Sequence, residues 1–187
     1  FEVGDKLSIY SYNRKEWYSA FAAANMAGGA AVGVYHTCSP EEVDWVVGNS
    51  DSKIVFVGNN PMDGGDPSKM CSNRLKTVID GLEKVHLAVL MDGIEMEHEK
   101  AISWADFISS GNPIKYEEVM TRIENVKPED VATLIYTSGT TGNPKGVMLS
   151  HGGILSNCEG AQEILFSLIK NNEPTFLTWL PLSHSYE

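Results

Sequence analysis

The stretch DVATLIYTSGTTGNPKGVMLS, Asp130 to Ser150, places a polar, glycine-containing loop between two apolar runs. The runs at 130–137 and 146–150 are typical of strands, and a short loop of this kind between them predicts a β-hairpin. Apolar residues then recur at helical spacing from His151 to about residue 169, which predicts a helix. This part of the sequence therefore predicts a strand, a loop, a second strand and a helix.

The loop of the hairpin is rich in groups that bind anions. Glycine tolerates positive φ and allows close approach, so backbone N–H groups near the two loop glycines can converge on a phosphate. Threonine and serine hydroxyls add donors, Lys145 adds a full positive charge, and Pro144 stiffens the turn before it. The sequence predicts a phosphate-binding loop at 137–146. Its predicted ligand-binding residues are Thr137, Ser138, Gly139, Thr140, Thr141, Gly142 and Lys145.

Three other interpretations of this loop fit less well. A Walker A loop requires a hydroxyl residue directly after the lysine, but Lys145 is followed by Gly146 and Val147. A Rossmann fingerprint requires G-x-G-x-x-G opening a helix, whereas only G-x-x-G is present and a strand follows. A purely structural hairpin turn explains the glycine and proline but not the clustered hydroxyl and amine donors.

The rest of the chain alternates strands with helices. Strands are predicted at 6–11, 30–35, 53–58 and 86–91. Helices are predicted after Asn13 as N-cap, after Ser39 as N-cap, from about 69 to 83, at 103–109 and at 116–125. The acidic segment after residue 91 is expected to be a solvated loop. This alternation predicts an α/β fold with βαβ units, a mostly parallel sheet and right-handed crossovers.

Two lobes and a second ligand-facing segment are predicted. The polar segment 127–130 is the expected boundary between a first α/β lobe, 1–126, and the start of a second lobe, 127–187. A strand at 175–182 would deliver the polar residues 183–187 at its end. Ligands commonly bind at strand ends in α/β sheets.

The composition limits the partners of the protein. The 187 residues carry 14 Lys plus Arg against 25 Asp plus Glu, a net charge of −11, which argues against nucleic acid or an anionic membrane surface as the main partner. The three cysteines form no C-x-x-C pair, and no zinc-ligand spacing occurs, so free thiols in a reducing compartment are expected. The apolar stretch 18–35 is expected to be buried rather than membrane-spanning, and no signal peptide is predicted.

Three segments together resemble a known superfamily. TSGTTGNPKG, 137–146, preceded by Leu134 and Ile135, is similar to the signature loop of the adenylate-forming, AMP-binding superfamily. LPLSHSYE, 180–187, resembles the L-P-x-x-H segment that the superfamily carries downstream. VGVYHTCSPEEVDWVVGNSDSKIVFV, 32–57, is most similar to long-chain fatty acyl-CoA synthetases. The resemblance covers nearly the whole chain.

The resemblance implies an ATP-dependent acid–thiol ligase. A fatty acid carboxylate would attack the α-phosphorus of ATP, pyrophosphate would leave, and coenzyme A would displace AMP from the acyl-adenylate. Lys145 would neutralise the leaving group, His184 would line the acyl pocket and orient the carboxylate, and Glu187 would be a pocket residue. Thr137 would contact Mg²⁺. The implied partners are small molecules, in the cytoplasm, with peripheral membrane contact left open for a longer parent protein.

The resemblance also implies missing parts. Family members carry downstream an aromatic-glycine-threonine-glutamate segment, a ribose-binding aspartate, a hinge and a C-terminal domain with a catalytic lysine, and none of these occurs here. We therefore expect an N-terminal fragment of the large domain, inactive alone. Two alternatives stay open: a ligase for another carboxylic acid, aryl or of short or medium chain length, and a non-catalytic nucleotide-binding module.

Overall fold

The computed structural model describes residues 1–91, 93–111, 116–137, 142–168, 177 and 179–184. The strands assigned there are β1 Lys6–Ser11, β2 Ala30–Val34, β3 Ser52–Gly58, β4 Leu87–Leu90, β5 Ala101–Ser103, β6 Val131–Thr137 and β7 Lys145–Ser150. The helices are α1 Lys15–Met26, α2 Pro40–Asn49, α3 Cys71–Val78, α4 Trp104–Ser110, α5 Tyr116–Glu124 and α6 His151–Leu168, with a 3₁₀ turn at Pro61–Asp63.

The strands form one sheet in the order β5-β4-β3-β1-β2-β6-β7. Neighbouring strands are parallel except β6 and β7, which are antiparallel. The predicted α/β class, the mostly parallel sheet and the hairpin are confirmed. The handedness of the crossovers and the division into lobes at 127–130 stay predictions, and β6 pairs with β2 in the same sheet.

Both faces of the sheet are covered, so the strands alternate between two cores. On one face, valines of β2 and β3 pack against α2 and α3. On the other face, residues of β1 and β3 pack against α1, with α4 beside them. The fully buried, valine-rich strands follow from this arrangement, since a parallel sheet between helices excludes water from both faces.

The hairpin contains one register shift. Val131 lies opposite Ser150, but Thr133 lies opposite Leu149. Between these two pairs β6 advances by two residues while β7 advances by one. Such an extra residue is a β-bulge. Beyond it the register is regular to the pair of Thr137 and Lys145 at the end of the ladder.

The two predicted helix starts have different outcomes. Ser39 caps α2 as expected, since its side chain accepts from Glu42 N and the Glu42 carboxylate accepts from Ser39 N in a capping box. Asn13 does not cap α1. The N-cap residue is Arg14, which makes no side-chain cap bond. The Asn13 amide instead bonds the backbone at residues 180 and 182.

Other sequence-based expectations also differ from the structure. β5 was not predicted, because three residues carry no recognisable alternation. The helix expected to reach residue 83 ends at Val78. The acidic segment after residue 91 is not wholly solvated, since Met96 is 9% exposed and lies in a core cluster.

The predicted strand at 175–182 is described only in part. Residues 175, 176 and 178 lie outside the described residues, and no strand is assigned at 177 or 179–182. Instead the chain turns, with His184 N donating to Pro181 O at 2.8 Å. The Asn13 side chain bonds Leu180 O and Leu182 N, backbone groups that a neighbouring strand would otherwise have paired. Of the helices in the described ranges, none has the length and apolar character needed to cross a membrane.

A buried ion pair at the start of α1 gives a pH-dependent prediction. Arg14 Nε lies 2.8 Å from Glu16 Oε2, and Arg14 Nη2 lies 3.1 Å from Oε1. Glu16 is 2% exposed, and the hydrogen bonds from Arg14 lower the pKa of its carboxyl. Because the folded pKa is depressed, the pair stabilises the protein at neutral pH and this contribution disappears as pH falls through the folded pKa.

We therefore expect Arg14→Met to cost about 2–4 kcal/mol in the free energy of unfolding at pH 7, since it leaves a buried carboxylate unpaired. The loss in the free energy of unfolding should be smaller at pH 4, because the unpaired Glu16 of the variant is then protonated and no longer carries a buried charge. Urea unfolding of the full-length protein at both pH values measures this, with Lys15→Met as the control for removing a neighbouring cation. An equal loss at both pH values would contradict the assignment.

Candidate functional site

The predicted site residues gather at one edge of the sheet. The strands β1, β2, β3, β4 and β6 are parallel, so their carboxyl ends lie along the same edge. The hairpin loop leaves β6 at this edge, and the segment 180–184 is bonded to residue 13, just after β1. Ligands of open α/β sheets bind in the crevice outside these carboxyl ends.

The base of the phosphate loop is formed by the last pair of the hairpin. Thr137 and Lys145 lie opposite each other in the β6–β7 ladder, and both residues are exposed. Gly142, also exposed, has φ +90°, a backbone conformation that favours glycine. Residues 138–141, which include four of the predicted phosphate ligands, lie outside the described residues. The structure therefore describes Thr137, Gly142 and Lys145 of the predicted set.

Helix α2 braces the hairpin at two points. Trp45 Nε1 donates to Pro144 O at 2.8 Å, directly before Lys145. One turn along the same helix, Asn49 Oδ1 accepts from Tyr136 Oη at 2.7 Å, directly before Thr137. Residues four apart share one helix face, which explains why a single helix holds both strands. Sequence analysis missed both contacts, because nothing local in α2 indicates them.

A close approach also fixes β7 on β6. A Cβ added at Gly146 would lie 2.9 Å from Tyr136 Cζ, so glycine leaves room for the tyrosine ring. Burial raises the pKa of the Tyr136 hydroxyl, which donates its proton to Asn49 Oδ1. Tyr136 of β6 and Gly146 of β7, the residues next to the base of the loop, are thus held in place.

A cavity of about 330 Å³ opens beside the loop base. It lies between the carboxyl ends of β2 and β6, and its lining combines hydroxyl groups with an apolar floor. The lining residues are Gly33, Val34, Tyr35, Thr37, Cys38, Glu42, Val46, Tyr136, Thr137 and Pro144.

The wall of this cavity at 35–38 is held by two donors, the buried Tyr10 and the half-buried Arg74. Tyr10 Oη donates to Cys38 O at 2.9 Å, and Arg74 Nη1 donates to the same oxygen at 2.9 Å and to His36 O at 3.3 Å. Burial raises the pKa of the Cys38 thiol to about 11, so it is protonated at neutral pH and is no nucleophile. Cys38 is a wall residue, and Arg74 is a support that sequence analysis did not identify.

The segment that bears His184 is docked on β1 and β2. Asn13 Nδ2 donates to Leu180 O at 2.6 Å, and Asn13 Oδ1 accepts from Leu182 N at 2.7 Å. Ser183 is buried against Gly33, where an added Cβ would lie 2.7 Å from Ser183 Cβ. A glycine inside a strand signals such an approach. Gly33 also lines the cavity beside Thr137, so it connects the two predicted motifs.

Two predicted ligand positions have a more limited description. His184 is half-buried at the end of the docked segment, whereas Glu187 lies outside the described residues. Among the residues that the structure describes, no group of three or more His, Cys, Asp or Glu side chains is placed to hold a metal ion. The contact of Thr137 with Mg²⁺ therefore stays a prediction. The donor set at the loop base, a hydroxyl and an ammonium, suits an anion.

The family described as "AMP-binding enzyme" matches residues 1–187. The chain belongs to this AMP-binding enzyme family. The match covers the complete sequence, including the hairpin loop and the segment that bears His184, so the superfamily resemblance of both motifs is confirmed.

Curated relatives of this AMP-binding chain include long-chain-fatty-acid–CoA ligases. One from Homo sapiens is 35% identical over 95% of this chain and 25% of its own length, and one from Gallus gallus is 34% identical over 94% and 22%. The peroxisomal long chain acyl-CoA synthetase 6 of Arabidopsis thaliana is 32% identical over 99% and 25%. The AMP-binding chain thus spans about a quarter of the length of these relatives.

A solved structure supports the fold of the AMP-binding chain. The anthranilate CoA ligase AuaEII, in complex with anthranoyl-AMP, superimposes with a TM-score of 0.67 at 19% identity, over 85% of this chain and 27% of its own. At that identity the similarity shows the architecture of the sheet and helices alone.

Proposed function

We propose that this AMP-binding chain is part of an ATP-dependent long-chain fatty acid–CoA ligase. The observation that carries the proposal is the placement of the phosphate-loop base, Thr137 and Lys145, at the same sheet edge as the docked segment with His184. Long-chain-fatty-acid–CoA ligases among the relatives support the acid class.

The first half-reaction would use the hairpin loop. The fatty acid carboxylate attacks the α-phosphorus of ATP, the bond to the bridging oxygen of pyrophosphate breaks, and acyl-adenylate forms. Thr137, with the predicted ligands Ser138, Gly139, Thr140, Thr141 and Gly142, would hold the departing phosphates. Lys145 would offset their charge, which is catalysis by positioning and electrostatics. Mg²⁺, when bound, would neutralise further phosphate charge beside Thr137.

The docked segment would serve the acid. His184 would line the acyl pocket and orient the carboxylate, with Glu187 as a further pocket residue. In the second half-reaction the thiol of coenzyme A attacks the acyl carbonyl and AMP leaves. ATP, the fatty acid and coenzyme A are the proposed small-molecule partners, and a reducing, cytoplasmic location stays part of the proposal.

A ligase for an aryl, short-chain or medium-chain acid is the second candidate. The solved relative named for anthranilate carries the same fold, and fold alone does not determine the acid. A non-catalytic nucleotide-binding module is the third candidate.

ATP–pyrophosphate exchange tests the proposal. We expect the full-length protein to catalyse exchange that depends on a fatty acid, with the highest kcat/KM for long chains in a panel of acids of different length and an aryl acid. The 187-residue chain expressed alone should give exchange at least about 10³-fold slower, because it spans only about a quarter of the length of these ligases.

Each result discriminates between the candidates. Exchange by the full-length protein with aryl or short acids alone would favour the second candidate. Nucleotide binding without exchange would favour the binding module. Robust exchange by the 187-residue chain would show that the downstream segments are dispensable for adenylation.

A further inference from the structure

We propose that Asn13 is a positioning residue for adenylation, acting by clamping the segment that bears His184 onto the edge of the sheet. The proposal rests on the function proposed above. It begins from the two hydrogen bonds of the Asn13 amide, 2.6 Å to Leu180 O and 2.7 Å from Leu182 N. They join positions that are 167 and 169 residues apart in the chain.

The two bonds have the pattern of a parallel strand pair. In a parallel ladder, one residue donates its N–H to the carbonyl before its partner and accepts from the N–H after it. The Asn13 side chain does the same around Pro181, with its Nδ2 as donor and its Oδ1 as acceptor. A single amide thus satisfies the backbone groups on both sides of Pro181, which has no N–H of its own to pair.

The two hydrogen bonds of Asn13 lie next to the contacts that hold residues 182–184 against the sheet. Leu182 packs against the core cluster of β1, β3 and α1, and Ser183 is 5% exposed against Gly33 of β2. His184 N then donates to Pro181 O at 2.8 Å, which closes a turn on the clamped residue. The position of His184 is therefore fixed relative to β1 and β2 through Pro181.

Only an amide fits this role at residue 13. An aspartate would keep the acceptor for Leu182 N but would place a carboxylate oxygen against the carbonyl oxygen of Leu180. An alanine would remove both bonds. The helix that follows does not need the side chain, since the N-cap of α1 is Arg14 and makes no side-chain cap bond.

Asn59 provides a matched control. It follows β3 at the same edge, and its amide also makes two bonds, from Nδ2 to Ser72 Oγ at 3.0 Å and from Ser72 N to Oδ1 at 2.9 Å. These bonds hold the start of α3 rather than the segment at 180–184. Asn13→Ala and Asn59→Ala therefore each remove two amide hydrogen bonds, but from two different parts of the structure.

The experiment uses full-length protein and two independent measurements. Hydrogen exchange of the peptide covering 180–184 should be at least about tenfold faster in Asn13→Ala and Asn13→Asp than in the wild type or Asn59→Ala, since the bond to the Leu182 N–H is lost or weakened. Fatty-acid-dependent ATP–pyrophosphate exchange should lose roughly 10- to 100-fold in kcat/KM for the acid, with ATP binding without acid changed less than about twofold.

The outcomes separate the inference from the proposed function. Unchanged hydrogen exchange at 180–184 in Asn13→Ala would overturn the clamp. Faster exchange with unchanged kinetic constants per folded molecule, or equal kinetic losses in Asn59→Ala, would show a structural residue only and overturn the positioning role. If the wild-type protein showed no acid-dependent pyrophosphate exchange, the proposed function would be wrong. The hydrogen-exchange measurement would still show whether Asn13 holds the segment 180–184.

Discussion

Lys145→Ala in the full-length protein should slow fatty-acid-dependent ATP–pyrophosphate exchange by about 10²- to 10³-fold in kcat, the size of effect expected when one preorganised charge-stabilising group is removed. Lys145 begins β7 opposite Thr137, next to the Pro144 carbonyl that Trp45 holds. The backbone that carries its ammonium is thus held at a braced strand end, next to the predicted phosphate loop. Binding of the fatty acid should change less than about threefold, because the lysine acts on the phosphates.

Two variants control this prediction. Lys145→Arg keeps the charge but not the compact ammonium, and we expect it to recover part of the rate. Lys127→Ala removes an exposed lysine near the amino end of β6, at the opposite edge of the sheet, and should leave exchange unchanged. If Lys145→Ala weakened acid binding as much as it slowed turnover, the lysine would be structural and not a partner of the leaving group.

Gly33→Ala should reduce kcat/KM for exchange by about 10²-fold, because a displacement near 1 Å of a positioned segment has costs of that order. The new Cβ would lie 2.7 Å from Ser183 Cβ and 2.8 Å from Ser183 Cα. One of these atoms belongs to the backbone, so rotation of a side chain cannot relieve the collision. The segment that bears His184 must move away from β2, and overpacking should also cost about 1–3 kcal/mol of stability.

Gly160→Ala is the matched control for adding one methyl group. Gly160 lies inside α6, and nothing comes within 4 Å of the Cβ position. Alanine there should leave exchange unchanged and stabilise the helix by about 0.5–1 kcal/mol. Measuring exchange per folded molecule together with urea unfolding separates the two effects of Gly33→Ala. A variant that lost stability but kept wild-type kinetic constants would contradict the link between β2 and His184.

The repeating strands and helices could be predicted because each carries its own local pattern. The patterns for the apolar β3, the N-cap at Ser39 and the hairpin from β6 to β7 each lie in consecutive residues. The phosphate loop could also be proposed from its residue types, since glycines, hydroxyls and one lysine lie close together in sequence.

The supports of the site could not be predicted, because they join distant parts of the chain. Asn13 follows a strand and precedes a helix, so its position indicates an N-cap, yet tertiary hydrogen bonds to residues 180 and 182 determine its role. Trp45 reaches Pro144 across 99 positions. Gly33 carried a recognisable signal, a glycine inside an apolar strand, but the sequence does not show which atoms approach it.

The bulge lies at the end of the hairpin farthest from the loop, so it changes the side to which the residues before it point. Successive side chains of a strand point to opposite sides, so a shift of one residue turns each of them over. From Thr133 to Thr137 the pairing is regular and ends with Thr137 opposite Lys145, because the loop that joins the two strands fixes the register there. Deleting one residue at the bulge would therefore leave the pair of Thr137 and Lys145 in place and reverse the side to which Val131 and the residues before it point.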